Sequence, residues 1–158
     1  MNLAERYESQ QYETEQTSAG LPTPVTAAFE GSNEIAAART LARDYLASLR
    51  DVHGRQVTER AVDLIQLVVS ELVTNAAKYA PGPCLLTLDA GENEDTLQIT
   101  AWDSSTTLPI VQRPDPARIG QHGLEIVNAL CRSLKAHRAP VGKRITATIA
   151  LTTPDPHR

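Results

Sequence analysis

Ser70-Glu71-Leu72-Val73-Thr74-Asn75-Ala76-Ala77-Lys78-Tyr79 lies near the middle of the chain, inside a longer apolar pattern. Ala61, Ile65, Val68, Leu72 and Ala76 recur at helical spacing, and Leu64, Val69 and Val73 widen the stripe. The spacing predicts one long helix from Val57 to Ala80. Pro81-Gly82-Pro83 ends it, because each proline lacks the N–H that a helix needs. Within the helix, Glu71, Asn75 and Lys78 stand at i, i+4 and i+7, which fall within roughly 60° of arc. A carboxylate, an amide and an ammonium thus share one stripe of an otherwise apolar helix. Spacing alone leaves two readings. One is a solvated face with a charge pair. The other is a cation-and-phosphate site, where an oxygen ligand holds a hard cation, the ammonium meets phosphate and the carboxylate orients a hydroxyl or water.

Elements alternate on both sides of this helix. Upstream, Val25, Ala27 and Phe29 repeat at period two and predict a strand within Thr23 to Glu30. Gly31-Ser32-Asn33 then breaks the chain, with Ser32 or Asn33 as N-cap of a helix to Leu49. Asp51 to Arg55 is a connector. Downstream, strands are predicted over Cys84 to Asp89 and Thr96 to Asp103, joined by a polar turn. Ser104 to Gly120 carries three prolines and no period, which reads as a long functional loop. Leu124, Val127, Leu130, Cys131 and Leu134 predict another amphipathic helix. Lys135 to Ala139 and Lys143 to Thr152 complete the set as strands, turning at Pro140-Val141-Gly142. Early helices and late adjacent strands predict an α+β, two-layer sandwich. Its mixed, mostly antiparallel sheet would be covered on one face by about three helices.

The remaining bounds come from composition. The chain has 158 residues, enough for one domain with a real core. The formal charge of −4 and an aromatic share of 4% argue against direct nucleic-acid binding. Cys84 and Cys131 sit in no C-x-x-C or Cys/His cluster, which predicts reduced thiols rather than a zinc site. No apolar run reaches membrane-spanning length and no signal-peptide pattern follows Met1, so a soluble cytoplasmic protein is expected. Met1 to Leu21 is rich in Glu, Gln, Ser and Thr, with Glu5, Glu8, Glu13 and Glu15 against one Arg6. It is expected to be a disordered tail, or else a partner-binding arm. Thr153 to Arg158 reads as a second tail, leaving residues 22–152 as the domain.

Two further features carry chemistry. In Thr96 to Asp103, alternation puts Leu97, Ile99, Ala101 and Asp103 on one face. Asp103 therefore ends an apolar row, where a carboxylate needs a partner. It is either a strand-end cap or an acceptor at a pocket floor, reading a donor such as an exocyclic amine. Gly120-Gln121-His122-Gly123-Leu124-Glu125-Ile126-Val127 brings glycines to the start of a helix. Free N–H groups and missing Cβ atoms there suit an anion, although a flexible hinge has the same composition. Jointly, the three features fit a nucleotide with magnesium.

These residues resemble a known family. Glu71-Leu72-Val73-Thr74-Asn75-Ala76-Ala77-Lys78-Tyr79 looks like the N box of the GHKL ATP-binding domain shared by histidine kinases, heat-shock chaperones and type II topoisomerases. Ala101-Trp102-Asp103 resembles the start of its G1 box, and Gly120 to Val127 its G2 box. The Glu-x-x-x-Asn form and compact size are most similar to anti-sigma regulatory factors, which are small serine/threonine kinases. The resemblance spans Thr23 to Thr152 and implies the Bergerat fold. It implies Glu71 as general base and Asn75 as ligand of Mg2+. It implies nucleotide contacts by Asn75, Lys78, Asp103, Gly120, His122, Gly123 and Leu124, with Asp103 accepting the adenine amine. ATP would be the co-substrate. An anti-anti-sigma (STAS-type) protein or a sigma factor would be the partner, with a homodimer as the assembly. The chain departs from the family where Asp103-Ser104-Ser105-Thr106-Thr107 replaces Asp-x-Gly-x-Gly. A partner-binding module with a degenerate ATP site, or an ATP hydrolase, is therefore the alternative. Thr146 and Thr148 have the wrong parity for adenine contact, and no phosphoacceptor-histidine helix accompanies the boxes.

Overall fold

The computed structural model describes residues 20–30, 32–80, 82–105 and 123–152. Strand β1 is Val25–Phe29, followed by a 3-10 turn at Ser32–Glu34, helix α1 (Ile35–Asp51) and helix α2 (Glu59–Tyr79). Strands β2 (Cys84–Asp89) and β3 (Thr96–Asp103), helix α3 (Gly123–Leu130), and strands β4 (Ser133–Arg138) and β5 (Lys143–Ala150) complete the order. The strands form a sheet in the order β1-β2-β3-β5-β4, with antiparallel neighbours throughout.

Period-two patterning makes this sheet two-faced. Leu86 and Leu88, Leu97 and Ile99, and Ile145, Ala147 and Ile149 are buried on the inner face. Against them pack Ala38, Ala42, Leu46 and Leu49 of α1, Ala61, Ile65, Val68 and Leu72 of α2, and Leu124 and Val127 of α3. The other face carries a threonine row across four strands, in register as Thr26, Thr87, Thr100 and Thr146. Hydroxyls join Thr26 to Thr87 at 2.9 Å and Thr100 to Thr146 at 3.3 Å. The two-layer sandwich expected from the sequence is the architecture observed. No helix among the described residues is long and apolar enough to cross a membrane.

Three boundary differences at the helices have a local cause. Helix α1 begins at Ile35, and neither Ser32 nor Asn33 is its cap. Glu34 holds the N-cap position but makes no side-chain cap, because its carboxylate turns back to accept from the Glu30 amide. Helix α2 starts at Glu59, where the Thr58 hydroxyl accepts from Ala61 N at 3.1 Å. Helix α3 stops at Leu130, so Cys131 and Leu134 lie beyond it. Arg132 N already donates to Thr148 O at 2.9 Å, and Ser133 onward pairs along β5. The free edge of β5 thus captures the backbone where apolar spacing alone predicts more helix.

The end of the domain at the β2–β3 turn is held by Arg55. Its guanidinium is buried and donates to Gly91 O at 2.7 Å, Asn93 O at 3.0 Å and Ala90 O at 3.4 Å. The Tyr45 hydroxyl accepts from Ala90 N at 3.1 Å beside it. The predicted tails fall mainly in residues 1–19 and 153–158, and most of the predicted loop in residues 106–122, all outside the described residues.

Candidate functional site

The sheet end opposite that turn collects the polar residues. Helix α2 passes directly into β2, so its last turns lie beside the end where β2 starts and β3 finishes. Glu71 and Asn75 are half-buried there, while Lys78 is exposed in the last turn of α2. Asn75 Oδ1 is buried and has no hydrogen-bond partner among the described residues. Buried amide oxygens are normally satisfied, so an orphan beside a carboxylate is an acceptor awaiting a ligand. A hard cation, which takes oxygen ligands, fits that donor set.

Helix α3 is set against the same stripe. Gly123 opens it, and a Cβ at this position would overlap Glu71 Oε2 and come within 3.4 Å of Glu71 Cδ. A side chain here would push the Glu71 carboxylate aside, so glycine lets the start of α3 sit against it. The N box and the G2 box are therefore in direct contact through Glu71 and Gly123. Leu124 packs into the hydrophobic core at 7% exposure. Gly120 and His122 lie outside the described residues.

Asp103 occupies the place that alternation predicts, at the inner end of β3, with 3% exposure. Its Oδ1 accepts from Ser105 N at 2.9 Å, an Asx-type turn that uses Ser105 where the family pattern has glycine. Its Oδ2 lies 3.6 Å from Lys143 Nζ, and both side chains are almost completely buried. Lys143 is the Cα partner of Asp103 across the β3–β5 ladder. Cys84 lies near the carboxylate at the same end. Burial, and secondarily the negative charge of Asp103, push its thiol up to about 11. Burial alone pushes Cys131 up to about 11.

The β4–β5 turn is pinned onto this end. Gly142 has φ of +76°, and a Cβ there would overlap Asp103 O and lie 3.1 Å from Ser104 Cα. From the outer face, Trp102 Nε1 donates to Val141 O at 2.7 Å. Lys143 is the residue that sequence reasoning missed. The same parity that removes Thr146 and Thr148 from the inner face puts Lys143 on it, in line with Ile145 and Ala147. The structure thus gathers Glu71, Asn75 and Gly123 on the helix side and Asp103 with Lys143 on the sheet side.

The family profile described as histidine kinase-like ATPase domain matches residues 32–149. No curated protein matches the sequence. Among solved structures, the RsbU and RsbW domains of Rv1364c from Mycobacterium tuberculosis share the fold at a TM-score of 0.60 and 16% identity. That likeness covers 84% of this chain, which spans only 34% of the longer one. The catalytic domain of histidine kinase ThkA gives a TM-score of 0.49 at 14% identity, covering 82% of this chain and 99% of that one. A histidine kinase from Burkholderia phymatum gives 0.44 at 15% identity, covering 92% and 78%. Matched over most of its length, the chain belongs to the histidine kinase-like ATPase domain family, and ATP is the ligand which that membership implies.

Proposed function

We propose that the chain is an Mg-ATP-dependent protein serine/threonine kinase of the anti-sigma regulatory kind. The partner hydroxyl belongs to an anti-anti-sigma (STAS-type) protein, with a sigma factor as the other client. One observation carries the reading: the Glu71 carboxylate sits against Gly123, one helical turn from the orphaned Asn75 Oδ1. A carboxylate, a cation ligand and a helix start then converge on one place, as phosphoryl transfer requires. Asn75 is the residue that would hold magnesium, which when bound offsets phosphate charge next to Glu71. Glu71 takes the proton of the partner's hydroxyl. That oxygen bonds to the γ-phosphorus while the bond to the β-phosphate oxygen breaks, and ADP leaves. Asp103 accepts the adenine amine, and Lys78 lies on the phosphate side.

The test is transfer of label from γ-labelled ATP with magnesium to a panel of STAS-type and sigma proteins. Label is expected on a partner Ser or Thr. Glu71→Gln is expected to lower transfer by about a hundredfold or more while ATP still binds. ATP binding without transfer to any partner would sink the kinase reading. The glycine-free stretch after Asp103 favours a second reading, a partner-binding module with a weak ATP site. Calorimetry showing no ATP binding by the wild type would select it.

A further inference from the structure

We propose that Lys143 is a positioning residue for base recognition, holding the Asp103 carboxylate in the orientation that selects adenine by its exocyclic amine. This rests on the ATP reading above. Lysine is almost never fully buried unless paired, and Lys143 is 2% exposed. Its ammonium meets Asp103 Oδ2 at 3.6 Å, and the two residues face each other across β3 and β5. The pair is thus written into the sheet register rather than left to two long side chains finding each other. The turn before Lys143 is fixed from both faces, by Gly142 against the Asp103 backbone and by Trp102 on Val141 O.

The consequence for Asp103 is geometric. Ser105 N fixes Oδ1 and Lys143 fixes Oδ2, so the carboxylate plane cannot rotate freely. An ionised carboxylate has about four acceptor positions. One hydrogen-bond donor and one ammonium at ion-pair distance leave acceptor capacity with a set direction, which suits a single amine on a flat ring. Without Lys143, one oxygen loses its anchor and, among the described residues, the buried carboxylate keeps its partner at Oδ1.

Calorimetry on the full chain with magnesium tests this, using ADP and the purine riboside diphosphate that lacks the amine. The wild type is expected to prefer ADP by about ten- to a hundredfold, the range of a buried charge-assisted hydrogen bond. Lys143→Met is expected to cut the preference below about threefold, and Lys143→Arg to retain most of it. A merely structural role predicts something else: both ligands weaken together in Lys143→Met and their ratio stays at the wild-type value. That result would overturn the assignment while leaving the ATP reading intact. Where Lys143→Met does not melt cooperatively, Lys143→Gln is measured instead, and an unchanged ratio there overturns the assignment equally. A wild type that binds neither ligand overturns the ATP reading, and the role of Lys143 with it.

Discussion

At the scale of single residues, the contact between Gly123 and Glu71 is where fold and chemistry are hardest to separate. Alanine is a better helix former than glycine, by about 1 kcal/mol in a helix interior. Gly123 has no positive φ that would penalise the change, so backbone terms alone predict a neutral or stabilising Gly123→Ala. The added methyl, however, overlaps the Glu71 carboxylate. The atom met is the far end of a flexible side chain, so the clash is relieved by swinging the carboxylate aside, which displaces the catalytic candidate. Gly123→Ala is therefore expected to stay within about 1 kcal/mol of wild type in stability and to lose phosphoryl transfer. In Glu71→Ala/Gly123→Ala the clash is gone, so stability should return to that of Glu71→Ala or exceed it. Thermal melts of the four proteins confirm that each is folded, and wild-type transfer by Gly123→Ala would refute the displacement of Glu71. The sequence shows both residues as candidates, but two positions far apart in the chain give no local sign that they touch. Asp103 was legible because alternation reports which face a strand residue takes. Lys143 obeys the same rule, yet a lysine at a strand start ordinarily points to water, and its burial goes with its pairing to Asp103.

At the scale of elements, type and order were legible and some ends were not. β2 and β3 have the predicted limits because their alternation stops at turn-forming residues. The end of α3 was misplaced because Leu134 satisfies two periods at once. It continues the apolar stripe of a helix, and as a strand residue opposite Ala147 it packs equally well against the core. Arg55 was invisible for a different reason. It stands in a connector, and nothing local marks an arginine that will bind three carbonyls of a distant turn. Its removal leaves the carbonyls of Ala90, Gly91 and Asn93 without their charged donor. Each lost hydrogen bond from a charged donor is worth about 1.5–3 kcal/mol, although the three share one side chain and do not simply add. Arg55→Met is expected to lower stability by about 2–4 kcal/mol in urea unfolding. Its ATP affinity in the remaining folded protein should stay within about twofold of wild type, because the clamp and the candidate site lie at opposite ends of the sheet. A large loss of affinity without loss of stability would contradict that separation.

At the scale of the whole molecule, the two ends of the sandwich divide the work. The end with Arg55 and Tyr45 is tied across elements by hydrogen bonds to the β2–β3 turn. The other end carries an orphaned amide oxygen, a buried ion pair and a helix start pressed on a carboxylate. Such features cost stability in the free protein and are typical of a site that awaits a ligand. Asn75 provides the cleanest test. An unsatisfied buried acceptor costs about 1–3 kcal/mol, and asparagine is also a poorer helix former than alanine. Asn75→Ala should therefore leave the ligand-free protein as stable as wild type, or up to about 1 kcal/mol more stable. A ligand that binds only the folded state raises stability by about 2.7 kcal/mol at a hundred times its dissociation constant. In the wild type, magnesium added to saturating ADP is expected to raise the melting temperature further. In Asn75→Ala this magnesium-dependent increment should vanish, while any magnesium-free stabilisation by ADP persists. The opposite pattern, a clearly destabilised free protein with its magnesium response intact, would make Asn75 a structural residue and move the cation ligand elsewhere.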